Sequence, residues 1–117
     1  MGQLTTHVLD TANGRPAAGL RLRLLRREGD AFVPLYDGVT NDDGRCERPL
    51  LDAIALRAGR YRLVFWTAAY FRAAGVPLAD PPFLDEVTLD FGIADVDAHY
   101  HVPLLLSPWS YSTYRGS

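Results

Sequence analysis

The sequence predicts an all-β fold: an antiparallel two-sheet sandwich of seven to eight short strands with one short helix. Three observations predict it. Apolar and polar residues alternate with period two along short runs, the pattern of strands with one buried face. Gly, Pro, Asn and Asp interrupt the chain roughly every ten residues, the turn spacing of a sandwich. Only one stretch changes to helical spacing. The 117 residues are a common size for one hydrophobic core, so a single domain over residues 1–117 is expected.

The elements follow in order. Leu4 to Asp10 alternates, with Leu4, Thr6 and Val8 on one face and Thr5, His7 and Leu9 on the other. Asn13-Gly14 and Pro16 end this strand with turn chemistry. Leu20 to Arg27 places Leu20, Leu22 and Leu24 against Arg21 and Arg23, the strongest half-buried strand signal in the chain. Glu28-Gly29-Asp30 is a hairpin turn, so Phe32 to Val39 returns antiparallel, and Pro34 marks it as an edge strand. Thr40-Asn-Asp-Asp-Gly-Arg45 is a tight turn that puts Arg45 at the start of a further strand. Leu50 to Leu56 is a helical turn or a loop.

Gly59 to Trp66 is a strand with Tyr61, Leu63 and Phe65 on one face. Thr67 to Ala74 is the helix, with Thr67 as N-cap and Gly75 as terminator. Phe83 to Phe91, His99 to Leu106 and Trp109 to Tyr114 complete the strand set. In His99–Leu106, Tyr100, Val102, Leu104 and Leu106 share the core face. His99, His101, Pro103 and Leu105 share the other. Imidazoles mixed with apolar groups are an odd surface for water alone, so a ligand or a second subunit is expected to cover it.

Composition removes several function classes. The net charge is −2, and no basic arm or patch is present, so no nucleic-acid partner is expected. The apolar runs are too short to cross a bilayer, so no membrane association is expected. The N-terminal residues have no basic and apolar regions of a secretory signal. Cys46 is the single cysteine, which excludes an internal disulfide, and the default location is cytoplasmic.

The residues that bring chemistry are few. His7 lies opposite its strand's core face, as do His99 and His101 on theirs. A lone histidine on a strand is usually structural, but these belong to outward sheet surfaces. His99 and His101 at spacing i, i+2 can chelate; no third ligand is evident, though His7 or a carboxylate could supply one, and no metal is expected. Ser107, Ser110 and Ser112 have no nucleophile-elbow motif. If Arg45 faces a ligand, Cys46 faces the core. Histidine as general base fits best, because imidazole accepts a proton near neutral pH. Ser110, Ser112 and Tyr114 share a parity, which on the outward side would add Tyr114 to the histidine surface.

Thr6-His-Val-Leu-Asp10, Asn41-Asp-Asp-Gly-Arg45, His99-Tyr-His-Val-Pro-Leu-Leu-Leu-Ser-Pro108 and the terminal Tyr114-Arg-Gly-Ser117 together resemble the 5-hydroxyisourate hydrolases, the transthyretin-like enzymes of urate degradation. The terminal Tyr-Arg-Gly-Ser separates these enzymes from transthyretin itself, a carrier. Trp109 stands where the family has an aromatic, often Tyr, after Ser-Pro.

The resemblance implies an eight-strand sandwich with one short helix, and a homotetramer with its sites at the dimer–dimer interface. It implies hydrolysis of 5-hydroxyisourate to 2-oxo-4-hydroxy-4-carboxy-5-ureidoimidazoline by histidine-assisted attack of water on the cyclic amide. His7, Arg45 and His101 would be catalytic. His7, Arg45, Tyr114 and Ser117 would contact substrate, and His99 would support the site. No cofactor is expected, because the carbonyl is already electrophilic. An apolar-ligand carrier and a plain interaction domain are the rival readings.

Overall fold

The computed structural model describes residues 2–116. Its elements are β1 (Gln3–Asp10), β2 (Arg15–Pro16), β3 (Arg21–Glu28), β4 (Ala31–Val39), β5 (Gly59–Phe65), α1 (Thr67–Ala73), β6 (Val87–Ile93), β7 (His99–Leu106) and β8 (Tyr111–Thr113). They form two four-stranded sheets, in the orders β2-β1-β7-β8 and β4-β3-β5-β6. The sandwich, the strand number and the single helix are as the sequence predicts.

Alternation decides which side of each strand is inside. In β1, every second residue from Leu4 to Asp10 is buried. Leu22, Leu24, Leu63, Phe65, Leu104 and Leu106, contributed by three strands of the two sheets, are wholly buried and meet in one core. Truncating any of these leucines to alanine would cost about 2–5 kcal/mol, because the close-packed surroundings cannot refill the space. Among the described residues, no helix is long and apolar enough to cross a membrane.

The structure corrects the sequence reading at several places. One pairing is parallel: β1 lies beside β7 with Thr5 opposite His101 and His7 opposite Pro103. The chain between these two strands builds the entire other sheet before returning. Arg15–Pro16 is a short strand paired with Leu9 and Asp10. Proline is tolerated there because β2 is an edge. No strand starts at Arg45. The segment after it touches β1 only at two isolated bridges, His7–Arg45 and Leu4–Leu51. It bulges between them, where Pro49 has no amide hydrogen to give.

The later strand begins at Val87, not Phe83, and runs on to Ile93. Its partner β5 ends at Phe65, opposite Val87, so nothing is available to pair with the residues before it. Phe83 is accordingly exposed. Asn41 to Arg45 does form the expected turn, with Gly44 at φ +76°.

Thr67 is not the helix N-cap. Trp66 holds that position without a side-chain bond, and Thr67 is the first helical residue. The Ala68 amide and the Thr67 hydroxyl both donate to the Asp85 carbonyl, at 3.0 and 3.2 Å. Gly75 does end the helix, at φ +83°. The Val76 amide donates to the Phe71 carbonyl and the Gly75 amide to the Arg72 carbonyl, the paired bonds of a Schellman motif.

Candidate active site

The site grows from the outward face of β1 and β7. Parallel pairing puts aligned residues on the same side, so Gln3, Thr5 and His7 stand beside His99, His101 and Pro103. His99 is exposed and His101 half-buried. Pro103 is already buried within one chain, so this face is less apolar than alternation alone implied.

Arg45 reaches the face through its turn. The Asn41 side-chain oxygen accepts from the Asp43 and Arg45 amides at 3.0 and 3.1 Å. The Asn41 amide donates to the Arg45 carbonyl at 2.7 Å. The Val8 amide then donates to the Gly44 carbonyl at 2.8 Å, which pins the turn to β1 and brings Arg45 opposite His7. Arg45 is exposed. The four ion pairs among the described residues all lie within the β4-β3-β5-β6 sheet and leave it free.

The histidines are oriented by specific partners. His7 Nε2 lies 2.8 Å from the Asp43 carbonyl oxygen. A carbonyl only accepts, so Nε2 carries a proton and donates it to Asp43. The Thr5 hydroxyl lies 2.8 Å from His101 Nδ1 and 2.9 Å from His99 Nε2. Burial depresses the His101 pKa below its ordinary value, and Arg45, His99 and His7 add to the depression. The lowering favours the neutral imidazole, the form that can accept a proton.

A cleft of about 400 Å³ opens here, lined by Thr5, Arg45, Glu47, Arg48, His99 and His101 among others. It presents two imidazoles and two guanidiniums to one space. A larger cleft of about 480 Å³, lined by Arg26, Tyr36 and Arg48 among others, contains no histidine. Among the described residues, no three metal-ligating side chains are grouped to hold an ion. Cys46 packs against the core, where burial raises its thiol pKa.

The tail is tied to the same strand. Tyr111, Ser112 and Thr113 pair with Leu106, Leu105 and Leu104. The Gly116 amide donates to the His101 carbonyl at 2.7 Å, and the His101–Gly116 bridge keeps the same register. The ladder is broken between them because Pro103, opposite Tyr114 in this register, has no amide hydrogen. Tyr114 therefore falls on the outward parity, 62% exposed. It does not line the cleft of the single chain. Arg115 turns the other way, with its guanidinium 4.1 Å from the Tyr100 ring centre. A Cβ on Gly116 would stand 2.7 Å from His101 Cδ2, so the bare backbone packs on the imidazole. Ser117 lies outside the described residues.

The structure thus brings His99, His101 and Arg45 into one cleft, with His7 bridged to Arg45. Sequence reasoning gave Thr5 and Gly116 no role of their own. Thr5 was legible only as a hydroxyl on the histidine face.

Comparisons with known proteins agree with this fold. The HIUase/Transthyretin family matches residues 4–116. A 5-hydroxyisourate hydrolase of Ralstonia nicotianae is 61% identical over 117 residues, covering all of both chains. The solved 5-hydroxyisourate hydrolase of Klebsiella pneumoniae is 39% identical with TM-score 0.81, again covering all of both chains. A solved (S)-allantoin synthase is 46% identical with TM-score 0.93. It aligns with 99% of this chain, which spans 44% of that longer one.

Proposed function

The chain belongs to the HIUase/Transthyretin family, and on that premise we propose that it hydrolyses 5-hydroxyisourate in urate degradation. The full-length likeness to named hydrolases supports this. The observation that carries it in the molecule is the shared cleft: His101, a half-buried base with a lowered pKa, faces the same space as Arg45. A carrier of apolar ligands would gain nothing from a base and a guanidinium there.

The reaction adds water across the amide of the six-membered ring. His7 and His101 position the water and take its proton as its oxygen bonds to the carbonyl carbon. General base help of this kind contributes about 10²–10⁴-fold. Arg45 binds the carbonyl oxygen and stabilises the oxyanion with a permanently charged fork of donors. Collapse of the adduct breaks the ring C–N bond. The proton passes to the departing nitrogen, leaving the carboxylated ureidoimidazoline.

In this reading His99 supports the site. Tyr114 and Ser117 contact substrate from a second subunit pair, because four chains join into a tetramer with the sites at the dimer–dimer interface. That assembly would cover the outward face of β1 and β7 and bring the exposed Tyr114 toward the substrate. A cytoplasmic location is part of the same reading, as is catalysis by the chain's own residues without a cofactor.

The test is direct. Purified protein should speed loss of the 5-hydroxyisourate absorbance generated by urate oxidase. A rate equal to the spontaneous decay would overturn the activity, and a monomeric mass in light scattering would overturn the tetramer.

A further inference from the structure

We propose that Thr5 is a positioning residue that fixes which ring nitrogen of His101 carries the proton, through a hydroxyl shared with His99. This deepens the hydrolase reading and rests on it for its kinetic consequences. The geometry is a chain of four groups. Gln3 Nε2 lies 3.5 Å from His99 Nε2, and Thr5 Oγ1 lies between His99 Nε2 at 2.9 Å and His101 Nδ1 at 2.8 Å.

The proton count gives the chain a direction. A threonine hydroxyl has one hydrogen and can donate to only one of the two rings. The Gln3 amide nitrogen is a donor only, so at 3.5 Å it faces a lone pair and not an N–H on His99 Nε2, and that lone pair is filled by the shorter contact from Thr5 at 2.9 Å. Thr5 then donates to His99 Nε2 and must accept from the other ring. His101 therefore carries its proton on Nδ1, and the lone pair is on Nε2. A base with the wrong tautomer has no lone pair at the water, which is why a partner on the second nitrogen matters in histidine catalysis.

The placement follows from the fold. Parallel pairing aligns Thr5 with His101 and Gln3 with His99, so the donor, the hydroxyl and both rings share one face. Among the described residues, the other charged or titratable groups around His101 are His7 on β1 and the Arg45–Arg48 segment with Glu47. Burial and Arg45 favour neutral His101, the state in which a tautomer exists to be chosen. Gly116 closes the remaining side of the ring without adding charge.

The test has two arms. The first is ¹⁵N NMR of the intact protein at neutral pH, which distinguishes an Nδ1–H ring from an Nε2–H ring. His101 should be Nδ1–H in the unmodified protein and a mixture in Thr5→Val, which keeps the β-branched shape and removes the hydroxyl. Thr5→Ser should restore the single tautomer. An unchanged His101 spectrum in Thr5→Val overturns the proposal.

The second arm is turnover. Thr5→Val should lower kcat about tenfold with KM nearly constant, part of what a positioned base supplies, and Thr5→Ser should recover most of it. His99→Leu should lower kcat through the same relay, so Thr5→Val with His99→Leu should be no worse than either alone. Additive losses, or a fall in Thr5→Val that Thr5→Ser does not recover, overturn the relay. Absence of turnover in the unmodified protein would instead overturn the hydrolase reading, and the NMR arm would still decide the tautomer.

Discussion

Gly44→Ala is the substitution that best tests how the turn holds Arg45. Gly44 has φ +76°, a left-handed conformation that costs an alanine about 1–2 kcal/mol. An added Cβ would also stand 2.3 Å from the Val8 carbonyl oxygen, with Pro16 and Ala17 close on the same side. The Val8 oxygen is strand backbone and the Ala17 nitrogen is backbone hydrogen-bonded to it, so neither can swing aside as the end of a flexible side chain does. To relieve the collision the turn must lift from β1, which breaks the 2.8 Å bond from the Val8 amide to the Gly44 carbonyl. An intramolecular bond of this kind is worth about 0.5–1.5 kcal/mol net. The two effects together predict a loss of about 1.5–3.5 kcal/mol, a drop of roughly 10 °C in Tm at a domain of this size.

The same movement draws Arg45 away from His7, so kcat/KM should fall by more than tenfold even where the variant is fully folded. Urea and thermal unfolding at fixed protein concentration measure the first effect, because an assembling chain has a concentration-dependent midpoint. The hydrolysis assay below the transition measures the second. A Gly44→Ala protein with an unchanged midpoint and unchanged turnover would refute the claim that this turn is pinned to β1 and places Arg45.

His101→Asn should cut turnover at least tenfold with the fold intact by circular dichroism, since it removes a base and keeps a polar group of similar size. Gly116→Ala should lower kcat with little change in Tm, because its Cβ would press on His101 Cδ2 at 2.7 Å and the imidazole can tilt away; the pair of measurements separates the two effects. His101 is held below its ordinary pKa of 6.5 by burial first and Arg45 next. It should thus stay deprotonated further into acid, with its NMR titration midpoint below 6.5, and Arg45→Ala should move that midpoint up. A downward move would contradict the assigned cause. Tyr70→Phe should cost about 1.5–3 kcal/mol in urea unfolding, because the Tyr70 hydroxyl donates to the buried Asp10 carboxylate at 2.7 Å. Burial raises the Asp10 pKa, but bonds from Asn13 and Tyr70 outweigh it and leave it lowered. That stabilisation is present above the carboxyl's unfolded pKa and is lost as pH falls through its folded one.

Faces were legible in the sequence, and neighbours were not. Alternation is a local property: each strand's apolar set points one way whatever the strand pairs with. It was enough to place Leu4 and Val8, Leu22 and Leu24, and Tyr100 and Val102 inside, and His7, His99 and His101 outside. The turn at Asn41–Arg45 was legible for the same reason, since Asn41 and Gly44 bond and bend within five residues. The recurrence of His7, Arg45 and the closing Tyr-Arg-Gly motif pointed to a family.

Which residues touch was decided by pairings between distant parts of the chain. Nothing local to Thr5 says that His101 will lie beside it, because β1 and β7 are joined only after the other sheet has been built between them. Arg45 reads as the start of a strand, yet only the edge of β1 turns it into a single bridge to His7. The limits of β6 were set by where β5 stops, and the helix start by a carbonyl from Asp85. Short-range patterning fixes the side of a sheet on which a side chain stands. Only the packing of the whole sandwich chooses the register, and the register is what puts a hydroxyl within hydrogen-bonding reach of two imidazoles.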